Sequence, residues 1–114
     1  MQHIAVVTTV GDMDQGRRLA RTIVERGLAA CVRLIPAESF FVWKDEVQQE
    51  TETQVVIKTT HDLYDALEAA IVQEHPYELP AIYATALCRV YEPYGQWVIE
   101  CTAAARSRTR GTAV

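Results

Sequence analysis

The stretch VQQETETQVVIKTT, Val47 to Thr60, is long, rich in β-branched residues, and different in its two halves. Alternate side chains of a strand point to opposite faces, so Val47, Val55 and Ile57 share one face while Gln48, Glu50, Glu52 and Gln54 share the other. The first half is polar enough to project beyond a core. Immediately before it, WKDEV (Trp43 to Val47) offers a tight reversal at Lys44 and Asp45, because Asp tolerates the left-handed backbone that two-residue hairpin loops require. Leu28 to Trp43 is again apolar and β-branched, with Pro36 in its middle. Proline has no N–H for a ladder, so that strand bends, bulges or runs along a sheet edge. A long hairpin with a solvated tip is unstable alone and needs a surface that one chain does not supply.

Outward from the hairpin, Ile4 to Val10 reads as a buried strand that breaks at Gly11. A helix follows, N-capped by Asp12 with Gln15 at the capping-box position; Met13, Leu19, Ala20, Ile23 and Val24 fall on one side, and Gly27 supplies the stop. A second helix spans Asp62 to Glu74, with Leu63, Leu67, Ala70 and Ile71 at helical spacing, and Pro76 forces His75 out of helical geometry. Ala81 to Tyr91 alternates like a strand, and Pro93 opens a short helix carrying Trp97, Val98 and Ile99. The order β-α-β-β-α-β plus a terminal helix is the ferredoxin-like α+β pattern, a fold that hosts many functions. Residues 1–104 form one domain, and 105–114, RSRTRGTAV preceded by Ala105, read as a flexible basic tail.

Composition narrows the function classes. The 114 residues are 49% hydrophobic and 23% charged, as in ordinary globular proteins, and the net charge of −4 lacks the basic field of a nucleic-acid binder. The N-terminal MQHIAVVTTVGD has no cationic leader region and too short an apolar run for a signal peptide or a membrane span, which places the protein in the cytoplasm with no membrane partner. Cys31, Cys88 and Cys101 are odd in number and sit in apolar sequence, so they read as buried free thiols.

No phosphate loop, nucleophile elbow or HExxH pair occurs, and no nucleophile can be matched with a base, so an enzyme is not expected. The densest polar cluster is HPYELP, His75 to Pro80, with Glu74 before it. Imidazole and carboxylate suit zinc or copper; equally, a histidine at a helix C-terminus followed by two prolines is a stiff connector. Glu52 and Lys58 share a strand face and are placed to be solvated or to pair across a subunit boundary. Trp43, at the hairpin end, is core or an interface anchor.

Taken together, LAACVRLIP (Leu28 to Pro36), the hairpin from Trp43 to VIKTT with Glu52 and Lys58, and HPYELP make the sequence resemble the CutA family of divalent-cation tolerance proteins over its first hundred or so residues. That resemblance implies a PII-like homotrimer in which the long hairpins pair between subunits, with Trp43, Glu52, Lys58 and Tyr77 at the trimer interface. It also implies a role in copper or other divalent-metal tolerance, with no certain cofactor beyond such an ion. In members credited with copper binding, the ligands are a cysteine late in the first strand and two adjacent histidines before the proline–tyrosine pair. The matching positions here are Thr8, Glu74 and His75, so His75 and Glu74 are the candidate metal residues and Thr8 stands where a sulfur ligand is expected. The alternative that the same resemblance carries is a PII-like module binding a small effector or a protein partner.

Overall fold

The structure, a computed structural model, describes residues 1–112. Strand β1 (His3–Val10) leads to helix α1 (Met13–Glu25), then β2 (Cys31–Trp43) and β3 (Glu46–Thr60). A 3₁₀ turn (His61–Leu63) enters helix α2 (Tyr64–Glu74), followed by β4 (Ile82–Leu87) and helices α3 (Glu92–Cys101) and α4 (Ala103–Thr112). The four strands form one antiparallel sheet in the order β2-β3-β1-β4, the ferredoxin-like arrangement expected from the sequence.

The register of β2 against β3 runs unbroken from Cys31↔Lys58 to Trp43↔Glu46. Pro36 therefore causes no bulge; it is tolerated because β2 is an edge strand and its missing N–H costs no ladder bond on the free side. The reversal at Lys44 and Asp45 has φ of 51° and 67°, the left-handed pair that a two-residue loop demands.

Ile4, Val6, Val10, Val55 and Ile57 face α1 and α2 and meet Leu19, Ile23, Leu63, Leu67 and Ile71 in the core. Gly16 lets α1 approach closely, since an added Cβ would lie 3.2 Å from Thr53 Cγ2 and 3.3 Å from Leu34 Cδ2. Val24, placed on the buried side by the periodicity, is exposed, because α1 packs through Gly16, Leu19 and Ile23. Helix α3 lies on the other face of the sheet. His3 Nε2 donates to the Gly95 carbonyl at 2.9 Å, and a Cβ on Gly95 would stand 3.1 Å from that imidazole.

Three expectations are corrected. Strand β4 ends at Leu87, short of Tyr91, and Cys88 and Cys101 are exposed while Cys31 is half-buried; the thiols are free, but not buried. Residues 105–112 are helical instead of a flexible tail, and Ala113 and Val114 lie outside the described residues. Ala105 and Arg106 are buried, and the Arg106 guanidinium donates to the Thr60 hydroxyl (3.2 Å), the Thr102 hydroxyl (2.6 Å) and the Ile99 carbonyl, with Asp62 at 3.9 Å. An arginine in a basic stretch reads as solvated in sequence; here two of the four partners, Thr60 and Asp62, come from a distant segment, and Thr102 and Ile99 lie within seven residues.

Candidate functional site around His75

The site forms where β1 ends, α1 begins and α2 runs into HPYELP. Asp12 caps α1 by accepting the Gln15 N–H at 2.8 Å. The Gln15 side chain reaches one residue further back than a capping box does and accepts the Gly11 N–H at 2.8 Å. A Cβ on Gly11 would stand 2.9 Å from Gln15 Oε1 and 3.7 Å from the Tyr77 hydroxyl, so glycine leaves the room in which these two groups close over the chain.

His75 caps α2 with an extended backbone, φ −76° and ψ 133°, as the following proline requires. Its ring turns back to β1. The β1–β4 ladder stops at Thr8↔Ile82, and the Thr9 carbonyl beyond that end is taken by His75 Nε2 at 2.9 Å, with the Thr8 hydroxyl at 3.1 Å. Nδ1 accepts the Tyr77 N–H at 3.1 Å. A carbonyl only accepts and an amide N–H only donates, so the partners assign a neutral imidazole with its proton on Nε2. Partial burial lowers the His75 pKa from the usual histidine value, opposed by the Thr9 carbonyl and the Glu52 carboxylate.

The Tyr77 ring leans on His75, centroids 4.9 Å apart and planes tilted by 60°, and its hydroxyl donates to Glu52 Oε2 at 2.5 Å. Burial, then this hydrogen bond, then the Glu52 charge push the phenol pKa well above its ordinary value, so Tyr77 stays protonated. Glu52 is only 8% exposed, and Tyr77 is the partner that makes its burial tolerable. The site is thus a chain of committed donors and acceptors running from Thr9 through His75 and Tyr77 to Glu52.

The structure brings His75, Tyr77, Glu52 and Thr8 together and leaves the other expected residues elsewhere. Glu74 is exposed on the last turn of α2, and Thr8 is fully buried. Lys58 lies six positions along β3 from Glu52, half-buried opposite Cys31 and Ala5. Trp43 is at the hairpin tip with the Lys44 ammonium 5.9 Å from its ring centre. Among the described residues no three His, Cys, Asp or Glu gather as a metal-holding group. As they stand, His75, Glu74 and Thr8 do not form a copper ligand set: the one bare imidazole nitrogen is occupied by Tyr77 N–H, and a threonine hydroxyl is a poor copper ligand.

Sequence reasoning missed the Gln15–Gly11 and Tyr77–Glu52 bonds. The first had a signal, a glutamine at the third helical position after Gly-Asp; the second joins residues 25 apart and had none.

A protein-family model described as CutA1 divalent ion tolerance protein matches residues 4–101. The divalent-cation tolerance protein CutA of Pyrococcus horikoshii is 32% identical over 99 residues, covering 87% of this chain and 97% of that protein. The chloroplastic CutA of Arabidopsis thaliana is 33% identical over 100 residues, and there the match spans only 55% of the relative's length. The crystal structure of CutA1 from Oryza sativa superposes with a TM-score of 0.87 at 34% identity, covering 90% of this chain and 94% of that one. With nearly the whole of its ordered core matched in sequence and in fold, the chain belongs to the CutA1 divalent ion tolerance family.

Proposed function

We propose that the protein acts in divalent-cation tolerance as a cytoplasmic homotrimer, assembled through the β2–β3 hairpin. The observation that carries the assembly is the two-faced apolar hairpin: Phe40, Val42 and Val47 on one face are 64, 69 and 77% exposed, and Ile35, Phe41 and Trp43 are exposed on the other. Apolar surface of that extent on a projecting ribbon calls for a partner, and a second copy is always at hand. Trp43, Glu52, Lys58 and Tyr77 belong to the interface in this reading. Copper or another divalent ion meets His75 and Glu74, and His75 coordinates only after giving up the Tyr77 N–H. No helix among the described residues is long and apolar enough to cross a membrane.

A native mass spectrum of the tag-free protein at neutral pH, with and without copper(II), tests this. A trimer retaining integral copper that His75→Ala abolishes is the expected result; a monomer, or copper retained after that substitution, refutes the corresponding half.

The engaged nitrogens of His75 favour a second reading, in which the trimer is a PII-like module for a small effector. A thermal-shift screen separates the two, because a ligand selective for the native state raises the melting temperature. Shifts with organic anions and none with metal support the module; the reverse supports the ion.

A further inference from the structure

We infer that the cleft between the start of β1, the end of β4 and helix α3 is a site for a soft monovalent metal ion of the copper(I) type, held by the His3 imidazole, the Cys88 thiolate and the Met1 thioether. His75 sits at the other end of β1, on the Thr9 carbonyl, and the cleft does not depend on how that residue is read.

The cleft has a volume of about 550 Å³, and Met1, His3 and Cys88 all line it. His3 pairs with Leu87 across the β1–β4 ladder, and Cys88 is the next residue, where the chain has left the strand; its thiol is free and exposed. The His3 ring is held in one orientation. Its Nε2 meets the Gly95 carbonyl at 2.9 Å, and because a carbonyl only accepts, the ring proton is on Nε2 and Nδ1 carries a bare lone pair. A Cβ on Gly95 would stand 3.1 Å from the ring, so glycine at this position is what lets α3 close on it. An imidazole that gives its N–H to a backbone carbonyl and keeps the other nitrogen open is the arrangement found around bound metals, since the carbonyl fixes the tautomer and raises the basicity of the free nitrogen. The cleft is also clear of the projecting hairpin. His3 pairs with Thr60, at the opposite end of β3 from the Trp43–Glu46 tip, and Trp43, Glu52, Lys58 and Tyr77 do not line it.

The donors choose the ion. Thiolate and thioether are soft ligands that select copper(I), and imidazole suits copper as well. Glu92 lines the cleft too, but among the described residues no three His, Cys, Asp or Glu gather closely enough to hold a metal, so four-coordinate zinc lacks its ligands. A filled-shell monovalent ion needs only two or three. Met1 is 63% exposed, and its unbranched thioether is free to swing over the imidazole and thiolate and complete the set. Binding releases the Cys88 proton to solvent and forms a metal–sulfur bond with no change of oxidation state, so thiolate and ion cancel in charge. A neutral pair suits the apolar walls supplied by Leu87, Val90 and Ile99, which also limit solvent access to the metal.

Competition with bicinchoninate, under argon with ascorbate as the reductant, reads how much copper(I) the full chain retains. One copper(I) per chain is expected to resist the competitor. Cys88→Ser and His3→Gln should each weaken retention by at least about tenfold, because even the groups that merely orient a metal ligand are worth about 10- to 100-fold in affinity. Glutamine can still donate to the Gly95 carbonyl, so the loss at His3 reports the missing nitrogen and not a loosened helix, and unchanged circular dichroism checks this. Cys101→Ser, an exposed thiol outside the cleft, and His75→Ala should change nothing. Copper(I) lost entirely to the competitor overturns the site. So does retention that survives either substitution, survival in His3→Gln alone marking an ordinary surface thiol. The probe is copper(I), not copper(II), so failure here leaves the His75 reading standing.

Discussion

At the scale of single residues, Tyr77 and His75 carry the sharpest expectations. Tyr77→Phe removes the only side-chain hydrogen bond that Glu52 makes among the described residues and leaves a buried carboxylate unmatched, so the protein should lose about 1–3 kcal/mol in denaturant unfolding. The phenol pKa is raised by folding, so its stabilising effect is complete below pH ~10 and is lost as pH climbs through the folded value. Tyr77→Phe should therefore flatten the alkaline limb of the stability profile. His75 has the opposite sign. Its folded pKa is lowered, so the unfolded chain binds the proton first, and stability falls as pH drops below ~6.5. Protonated Nδ1 can no longer accept the Tyr77 N–H, and His75→Gln should remove that acid sensitivity in a melting-temperature series from pH 8 to 5. The sequence made His75, Tyr77, Glu52 and Thr8 visible as residues of interest but not as a connected chain. Periodicity reports which face a residue occupies; it says nothing of a contact between a connector and a strand 25 residues earlier.

At the scale of elements, the hairpin was the most legible part, because turn chemistry and alternation are both local. Asp45 holds φ of 67° without being glycine, and Asp45→Gly should raise stability by about 1 kcal/mol on relief of that strain. Helix α3 gives the reverse. Gly95→Ala raises intrinsic helix propensity, yet the new methyl would sit 3.1 Å from the His3 ring. Overpacking wins there, with a net loss of about 1–3 kcal/mol in thermal or urea unfolding. The short β4 and the second face covered by α3 were not legible: a strand's end is set by what pairs with it, and Leu87 is the last residue opposite β1 because His3 is the first residue of β1.

At the scale of the molecule, helix α4 shows why the chain end was misjudged. Its composition is that of a solvated tail, but Arg106 joins Thr60, Asp62, Ile99 and Thr102, binding the end of β3 to the junction of α3 and α4. Arg106→Ala should cost about 2–4 kcal/mol, since it strips donors from several buried acceptors at once, and should speed hydrogen exchange throughout α4. Charge placed on the hairpin, as in Val42→Lys with Val47→Glu, should split the proposed assembly into folded monomers with unchanged circular dichroism, because neither side chain belongs to the core. The sheet order bears on synthesis as well. β2 and β3 zip from a two-residue loop and can form within microseconds, whereas β1 completes its pairing only with β4, near the other end of the chain. At ~5–20 residues per second, a nascent chain waits seconds on the ribosome with β1 open on one edge and an apolar ribbon already in solution. That interval is when this protein is most exposed to chaperones and to neighbouring nascent copies of itself, and a ribosome-profiling pause between Thr60 and Leu87 should lower its soluble yield more than one placed anywhere later.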